Sequence, residues 1–308
     1  SVDFMKSNDL IQTAFVSTNS ITQGEQVSLL WPDLLSRGIV INFAHRTFQW
    51  NNEAKGNAAV HCVIIGFGLK TAKQKIIFDY ENIKSDPHTI QAKNINPYLT
   101  DALNIIVSTR SKPICNVQEM INGSKPTDGG NLLLSSVEKE RILNIEPNAE
   151  KYIKSYVGSE EFINNIPRDC LWLVECTPDE LRAMPAVLEK VNLVREMRLK
   201  SDDVNTRKDA AKPMLFQKIR QPKSNYLIIP RVSSENRQYV PIKFATPDLI
   251  VGDAVQTIPD ASLYDFGVLT STMHNSWMRS IAGRLKSDYR YSAGIVYNNF
   301  PWAPDVSK

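Results

Sequence analysis

The sequence is poor in several features that would place it at once. Its four cysteines, Cys62, Cys115, Cys170 and Cys176, form no Cys-x-x-Cys pair, and none has a histidine at zinc-ligand spacing. That argues against a disulfide scaffold and against a structural metal. Cys62 sits inside the apolar run AAVHCVIIGF, the setting of a buried, reduced thiol. No apolar run approaches the roughly 20 residues needed to cross a bilayer. The first residues, SVDFMKSNDLIQ, lack the basic flank and apolar stretch of a signal peptide, so a cytoplasmic protein without a membrane partner is expected. The histidines, His45, His61, His88 and His274, are scattered, with no serine elbow or acid partner to mark a triad. An excess of charge is missing too, since 36 basic residues against 33 acidic leave a net charge of only +3.

The remaining composition, 42% hydrophobic and 22% charged, is that of an ordinary globular protein long enough for two domains. Charge is uneven along it. Nine Lys or Arg against four acids lie between Arg195 and Lys223, and Arg279, Arg284, Lys286 and Arg290 face only Asp288. Such stretches suit a polyanion, although solvated surface explains most runs of this kind.

The first segment alternates strand and helix. TAFVST (Thr13–Thr18) reads as a buried strand, and Thr22 with Glu25 fits a capping box. Val27, Leu30, Leu34 and Leu35 then form a helical face that ends at Gly38. Strands follow at Gly38–Ala44 and Ala58–Phe67, joined by a polar loop from His45 to Asn57. From Asp79 to about Pro126 periodicity is weak, which suggests a connector with one helical piece. GSKPTDGG (Gly123–Gly130) is a strong loop signal and a candidate domain boundary. Beyond it, Ser135 with Glu138 caps a helix, Pro147 starts another that Gly158 can end, and Thr177-Pro178-Asp179-Glu180 starts a third. Leu181, Leu188, Val191 and Val194 supply that helix's buried face. NYLIIPRV and RQYVPIKFA read as strands, and SLYDFGVLTSTMHNSWMRSIAGRL as helical.

Three short motifs tempt and fail. Gly66-Phe67-Gly68 lacks the third glycine of a dinucleotide loop and is better taken as glycines ending a strand. Asn96-Pro97-Tyr98 resembles the N-P-P-Y tetrapeptide of amino-methyltransferases but has one proline and follows the third strand, so a turn is expected. Glu53-Ala54-Lys55 has a nuclease-like E-x-K spacing without an acidic partner strand.

Longer strings are more specific. AFVSTNSITQGEQVSLLWP (Ala14–Pro32), INFAHRTFQWNNEAKGNAAVHCVIIGF (Ile41–Phe67), NINPYL (Asn94–Leu99) and SKPTDGGNLLL (Ser124–Leu134) resemble the MmeI-like adenine-N6 DNA methyltransferases. So do FGVLTSTMHNSWMR (Phe266–Arg279) and GRLKSDYRYSAGIVYNNFPW (Gly283–Trp302). The resemblance implies an α/β fold: the C-terminal portion of a Rossmann-like methyltransferase sheet over 1–115, a mixed α+β target-recognition domain over 116–250, and a helical C-terminal subdomain over 251–308. It also implies a parent that transfers methyl from S-adenosylmethionine to a flipped adenine in double-stranded DNA. In this family the cofactor-binding D-P-A-C-G-S-G and catalytic N-P-P-[FY] motifs lie upstream, and neither occurs here. The expected partners are therefore double-stranded DNA and an N-terminal catalytic half, with no catalytic residue in this piece. Mg2+ would enter only if the parent carries a nuclease domain. A stand-alone nucleic-acid-binding module and a piece of an RNA methyltransferase are the competing readings.

A flipped base needs a π-face to lie against. In related enzymes an aromatic residue between the last two strands supplies it, which points to Phe48 in HRTFQW, with Trp50 second. Sequence choice needs side chains that reach base edges. PRVSSENRQYVPI offers Arg231, Glu235, Asn236 and Arg237 between two apolar runs, and the resemblance singles out Glu235-x-Arg237 as an acid and a base able to read one C·G pair. Asp203 and Arg207 are weaker readout candidates. Lys218, Arg220, Lys223, Arg284, Lys286 and Arg290 are assigned to phosphates, which set register without reading sequence. Tyr289 and Tyr291 are expected in the core.

Overall fold

The computed structural model describes residues 1–50 and 60–303 and divides into two compact units. The first comprises Ser1–Cys115, Ser234–Arg237 and Thr272–Ala303; the second comprises Asn116–Ser233 and Gln238–Ser271. Glu53-Ala54-Lys55 lies outside the described residues.

The first unit is built on a five-stranded sheet of β1 (Gln12–Thr18), β2 (Val40–Trp50), β3 (Val60–Gly68), β4 (Lys75–Asp79) and β5 (His88–Ala92), in the order β1-β3-β2-β4-β5. Only β2 and β4 run parallel. The two strands expected on either side of the polar loop, β2 and β3, pair antiparallel as a hairpin. Gly66 lies opposite Phe43, and a Cβ there would stand 2.0 Å from the Phe43 ring. The two glycines thus fall at the end of β3, and Gly66 admits a packed aromatic ring. Between β1 and β2, the helix Gly24–Ser36 buries Val27 and Trp31 against Ile41, Ala44, Val63, Ile65 and Ile77. Gly38, at φ +85°, follows its last turn as expected.

Several local expectations need correction. Thr22 does not cap the helix: its hydroxyl donates to the Asn19 carbonyl at 2.9 Å, and Gln23 is the residue that precedes the first helical position, Gly24. β1 is largely exposed, with Phe15 at 54% and Val16 at 52%, because β3 is its sole partner among the described residues. The Asp79–Pro126 stretch holds β5 and, among the described residues, no helix. Its order comes from side chains bonded to backbone. The carboxamide oxygen of Asn96 accepts from the Tyr98 and Thr100 amides and the Thr100 hydroxyl, while Leu99 takes a left-handed φ of 57°. The turn expected at Asn96-Pro97-Tyr98 is thereby formed.

In the second unit two four-stranded sheets carry the helices. One is ordered Lys243–Ala245, Tyr226–Pro230, Val255–Pro259, Ile121–Asn122 and the other Ile250–Val251, Ile153–Val157, Asp169–Leu171, Leu133–Leu134. The Ser135–Glu138 and Thr177–Glu180 capping boxes both form. Pro147 opens a 3-10 turn, but Gly158 caps the start of Ser159–Asn164, and Ile153–Val157 is a strand. Val187, Val191 and Val194 of Pro185–Leu199 enter a core with Leu132, Leu134, Leu171 and Phe216. The helical run expected at 262–285 breaks at Ser271, which is extended. Helix Leu263–Thr270 belongs to the second unit and Thr272–Ile281 to the first, so 251–303 is no separate helical body.

The GSKPTDGG loop lies inside the second unit, and Arg198 is the reason. That side chain, 1% exposed, donates to five carbonyls: Thr127, Pro126, Leu215, Asp209 and Lys212, at 2.8–3.1 Å. Burial pushes its pKa down, opposed by the charges of Asp209 and Asp128. No helix among the described residues is long and apolar enough to cross a membrane.

Glu138 gives a pH prediction. The Ser135 backbone amide, then Lys190, hold its carboxyl at about 2, against an ordinary 4.5. A depressed carboxylate stabilises fully above its unfolded pKa, and the contribution fades as pH falls through the folded value. The melting-temperature gap between wild type and Glu138→Gln should therefore be constant above pH about 5 and shrink towards pH 2. The side chain is partly solvated, so the gap should be small. A gap that widens on acidification would refute the assignment.

Candidate nucleic-acid interface

A cleft of about 800 Å³ opens in the first unit. One part of its lining is Arg46 and Thr47 of β2 with Asp79 and Tyr80 at the end of β4; Glu235 and Asn236 line it too, with Arg279, Arg284 and Tyr289. Residues almost 190 positions apart along the chain thus share one surface.

On the β2 side the HRTFQW segment is strand rather than loop, since β2 runs on to Trp50. Its register against β3 shifts between His45 and Phe48, where Arg46 and Thr47 of β2 lie opposite the single residue Val63 of β3. An aromatic cluster forms there. His45 stacks on Phe78, with ring centroids 4.1 Å apart and planes 5° apart, and its Nδ1 shares a 2.8 Å hydrogen bond with the Tyr80 hydroxyl. Burial lowers the His45 pKa, favouring the neutral ring. Phe48 is half-buried and lies against Tyr80, centroids 5.5 Å apart at 25°. Trp50, 6.1 Å from Phe48, is 46% exposed at the strand end. Beside them Arg46 donates to Asp79 at 2.8 Å and to the Leu99 carbonyl at 3.0 Å.

Ser234–Arg237 forms a turn. The Arg237 amide donates to the Ser234 carbonyl at 3.1 Å, and the Asn236 amide donates to the Ser234 hydroxyl at 3.3 Å. Arg279 donates to the Arg237 carbonyl at 3.1 Å. Glu235 Oε2 accepts from Arg284 Nη1 at 2.9 Å, while Oε1 and the Arg237 guanidinium have no hydrogen-bond partner among the described residues. Asn236 is exposed.

The other candidates fall into different settings. Arg231, in the second unit, donates to the Asp253 carbonyl. Asp203 caps Val204–Asp209, accepting from the Thr206 amide and hydroxyl, and Arg207 donates to the Ser201 and Asp202 carbonyls. Both have local structural partners. Lys218, Arg220 and Lys223 are exposed in the second unit, as are Lys286 and Arg290 on the Gly283–Leu285/Asp288–Arg290 hairpin of the first. Arg284 is different: its guanidinium lies 3.9 Å over the Tyr289 ring and is only 18% exposed. Tyr289 and Tyr291 are buried, as expected. The Arg46–Asp79 pair, the Tyr80 contact and the Glu235–Arg284 pair escape sequence reasoning. The one signal for the last was a cation and an aromatic five positions apart, Arg284 and Tyr289, flanking a turn.

Residues 101–304 match the family described as MmeI, target recognition domain, and residues 1–79 match MmeI, DNA-methyltransferase domain. DNA methyltransferase A of Bacillus subtilis (strain 168) is 45% identical over 297 residues, covering 96% of this chain and 33% of that protein. The type IIL restriction-modification enzyme MmeI, solved in complex with DNA, superposes with a TM-score of 0.92 at 55% identity, over 99% of this chain and 41% of that one. The class the matches define is that of MmeI-type DNA-methyltransferase and target recognition domains. Within it, the chain belongs to the MmeI family and carries its target recognition domain together with part of its methyltransferase domain. It spans a third of the curated relative and about two fifths of the solved one.

Proposed function

We propose that this chain is the sequence-reading part of a cytoplasmic adenine-N6 DNA methyltransferase, whose whole protein moves a methyl group from S-adenosylmethionine to an adenine flipped out of double-stranded DNA. The observation that carries this reading is the cleft of the first unit, which gathers the turn Glu235–Asn236 and the strand bearing Phe48. A flipped base and its neighbouring base pairs must be met together. Phe48, backed by Tyr80, offers a π-face already held in place, and Trp50 at the strand end is the second choice. Glu235 accepts from a cytosine amine, and Arg237 donates to the paired guanine. Arg231 and Asn236 serve neighbouring positions, with Asp203 and Arg207 as weaker readers. Lys218, Arg220, Lys223, Lys286 and Arg290 meet phosphates.

The five-stranded sheet is the late portion of a Rossmann-like methyltransferase sheet whose earlier strands belong to an N-terminal half. The Gly66-Phe67-Gly68 segment does not fit S-adenosylmethionine: the Phe43 ring occupies the space beside Gly66, so these glycines make no cradle. The cofactor belongs to that N-terminal half. Mg2+ would belong to a nuclease segment of the whole protein.

Selecting random duplexes with the full-length protein at two salt concentrations tests this reading. Enrichment of a short motif containing an adenine, methylated at that adenine, is expected. Salt-sensitive binding with no enriched motif would sink it. Neutralising Lys286 or Arg290 to glutamine should weaken binding to every duplex alike and flatten the salt slope by about one unit per lost contact. A loss confined to the preferred duplex would instead make these residues base readers.

A further inference from the structure

Glu235 is held in an unusual way for a surface turn. Arg284 and Tyr289 are cross-strand partners in the hairpin Gly283–Leu285/Asp288–Arg290, and the guanidinium stacks on the ring at 3.9 Å. Its Nη1 donates to the Ser287 carbonyl at 2.6 Å and to Glu235 Oε2 at 2.9 Å. The pair is 18% and 27% exposed, so both side chains lie largely against the protein. Arg279 meanwhile pins the backbone of the same turn at the Arg237 carbonyl. One carboxylate oxygen is thus committed, and the other has no hydrogen-bond partner among the described residues.

We infer that Arg284 is a positioning residue for base readout: seated on Tyr289, it fixes the Glu235 carboxylate so that the unpaired oxygen accepts from one base. The inference rests on the proposed reading of Glu235 and changes the role expected of Arg284, from phosphate contact to orienter of a base reader. An ordered carboxylate meets a base amine without first losing side-chain freedom. The choice of base at this position therefore depends on three side chains, Glu235, Arg237 and Arg284, two of them in one turn with Asn236 between and the third on a distant hairpin.

The test uses the full-length protein and the duplex motif it selects from a random pool, with each base pair of that motif then changed in turn. Glu235→Gln should relax the preference at one base pair. Arg284→Met should relax the same pair by about tenfold, leaving discrimination at the other positions and the salt slope as in wild type. Arg284→Lys keeps the charge but loses the planar stack and should restore part of the preference. Should Arg284→Met prove unfolded in a melting scan, Arg284→Lys decides alone, with a smaller relaxation expected at that pair and no other. Equal weakening on every duplex with a salt slope flatter by about one unit would make Arg284 a phosphate contact and overturn the inference. Relaxation at a different pair from that of Glu235→Gln would overturn it as well, while leaving Glu235 a reader. If Glu235→Gln relaxes no pair, the readout proposal itself falls, and the inference with it.

Discussion

Replacing Arg198 with methionine is expected to lower the melting midpoint of the second unit by about 10 °C. Methionine fills much of the volume but supplies no donor, so five carbonyls lose the partner they converge on. An unmet buried acceptor costs about 1–3 kcal/mol. Water can reach some of these carbonyls, since Lys212 is exposed and Asp209 half-exposed, so the sum is well short of five such costs. A net loss of about 4 kcal/mol, at about 2–4 °C per kcal/mol for a unit of this size, gives the stated shift. Arg198→Lys should lose more than half as much, because an ammonium is a point donor that cannot span carbonyls on three sides. The loop Pro126–Gly130 should become the first site of proteolytic nicking in both variants. A shift under about 2 °C would show that the network is idle.

Phe48→Ala should slow methylation by the full-length protein by about ten- to a hundredfold at subsaturating DNA, the equivalent of one base–aromatic stack of about 1–3 kcal/mol. The fold should survive, because Phe48 is half-buried and its neighbours Tyr80 and His45 remain joined by their hydrogen bond. A fluorescent adenine analogue at the target position should brighten less with the variant than with wild type, which separates base capture from chemistry. Trp50→Ala should have the smaller effect, since that ring is 46% exposed and lies at the end of the strand. An unchanged rate for Phe48→Ala, or a larger loss for Trp50→Ala, would remove Phe48 from the role.

Legibility along the chain followed the range of the interactions. Capping boxes at Ser135–Glu138 and Thr177–Glu180 were readable because both partners lie within four residues and their geometry is local. The same rule failed at Thr22, where the hydroxyl found the Asn19 carbonyl inside a 3-10 turn, a competitor with equally short reach. Strands with strong apolar runs, β2, β3 and Tyr226–Pro230, were visible, while Ile153–Val157 was hidden by its polar Lys154 and Ser155 and became a strand by pairing on both sides. The basic stretch between Arg195 and Lys223 suited a polyanion. Its Arg198 is instead buried, because a charge count does not say which guanidinium converges on backbone carbonyls.

The sequence alone determined the α/β class, the family, the hairpin of β2 and β3 and the turn at Asn96. Long shared strings carry that much because each residue in them is constrained by its near neighbours. The tertiary structure alone decided that the compact units are interleaved, that Ser234–Arg237 returns to the first unit, and that Glu235 meets Arg284 across 49 positions. Such pairings depend on which distant segments close into one cluster and bury surface together, a property of the whole packing that no local pattern encodes.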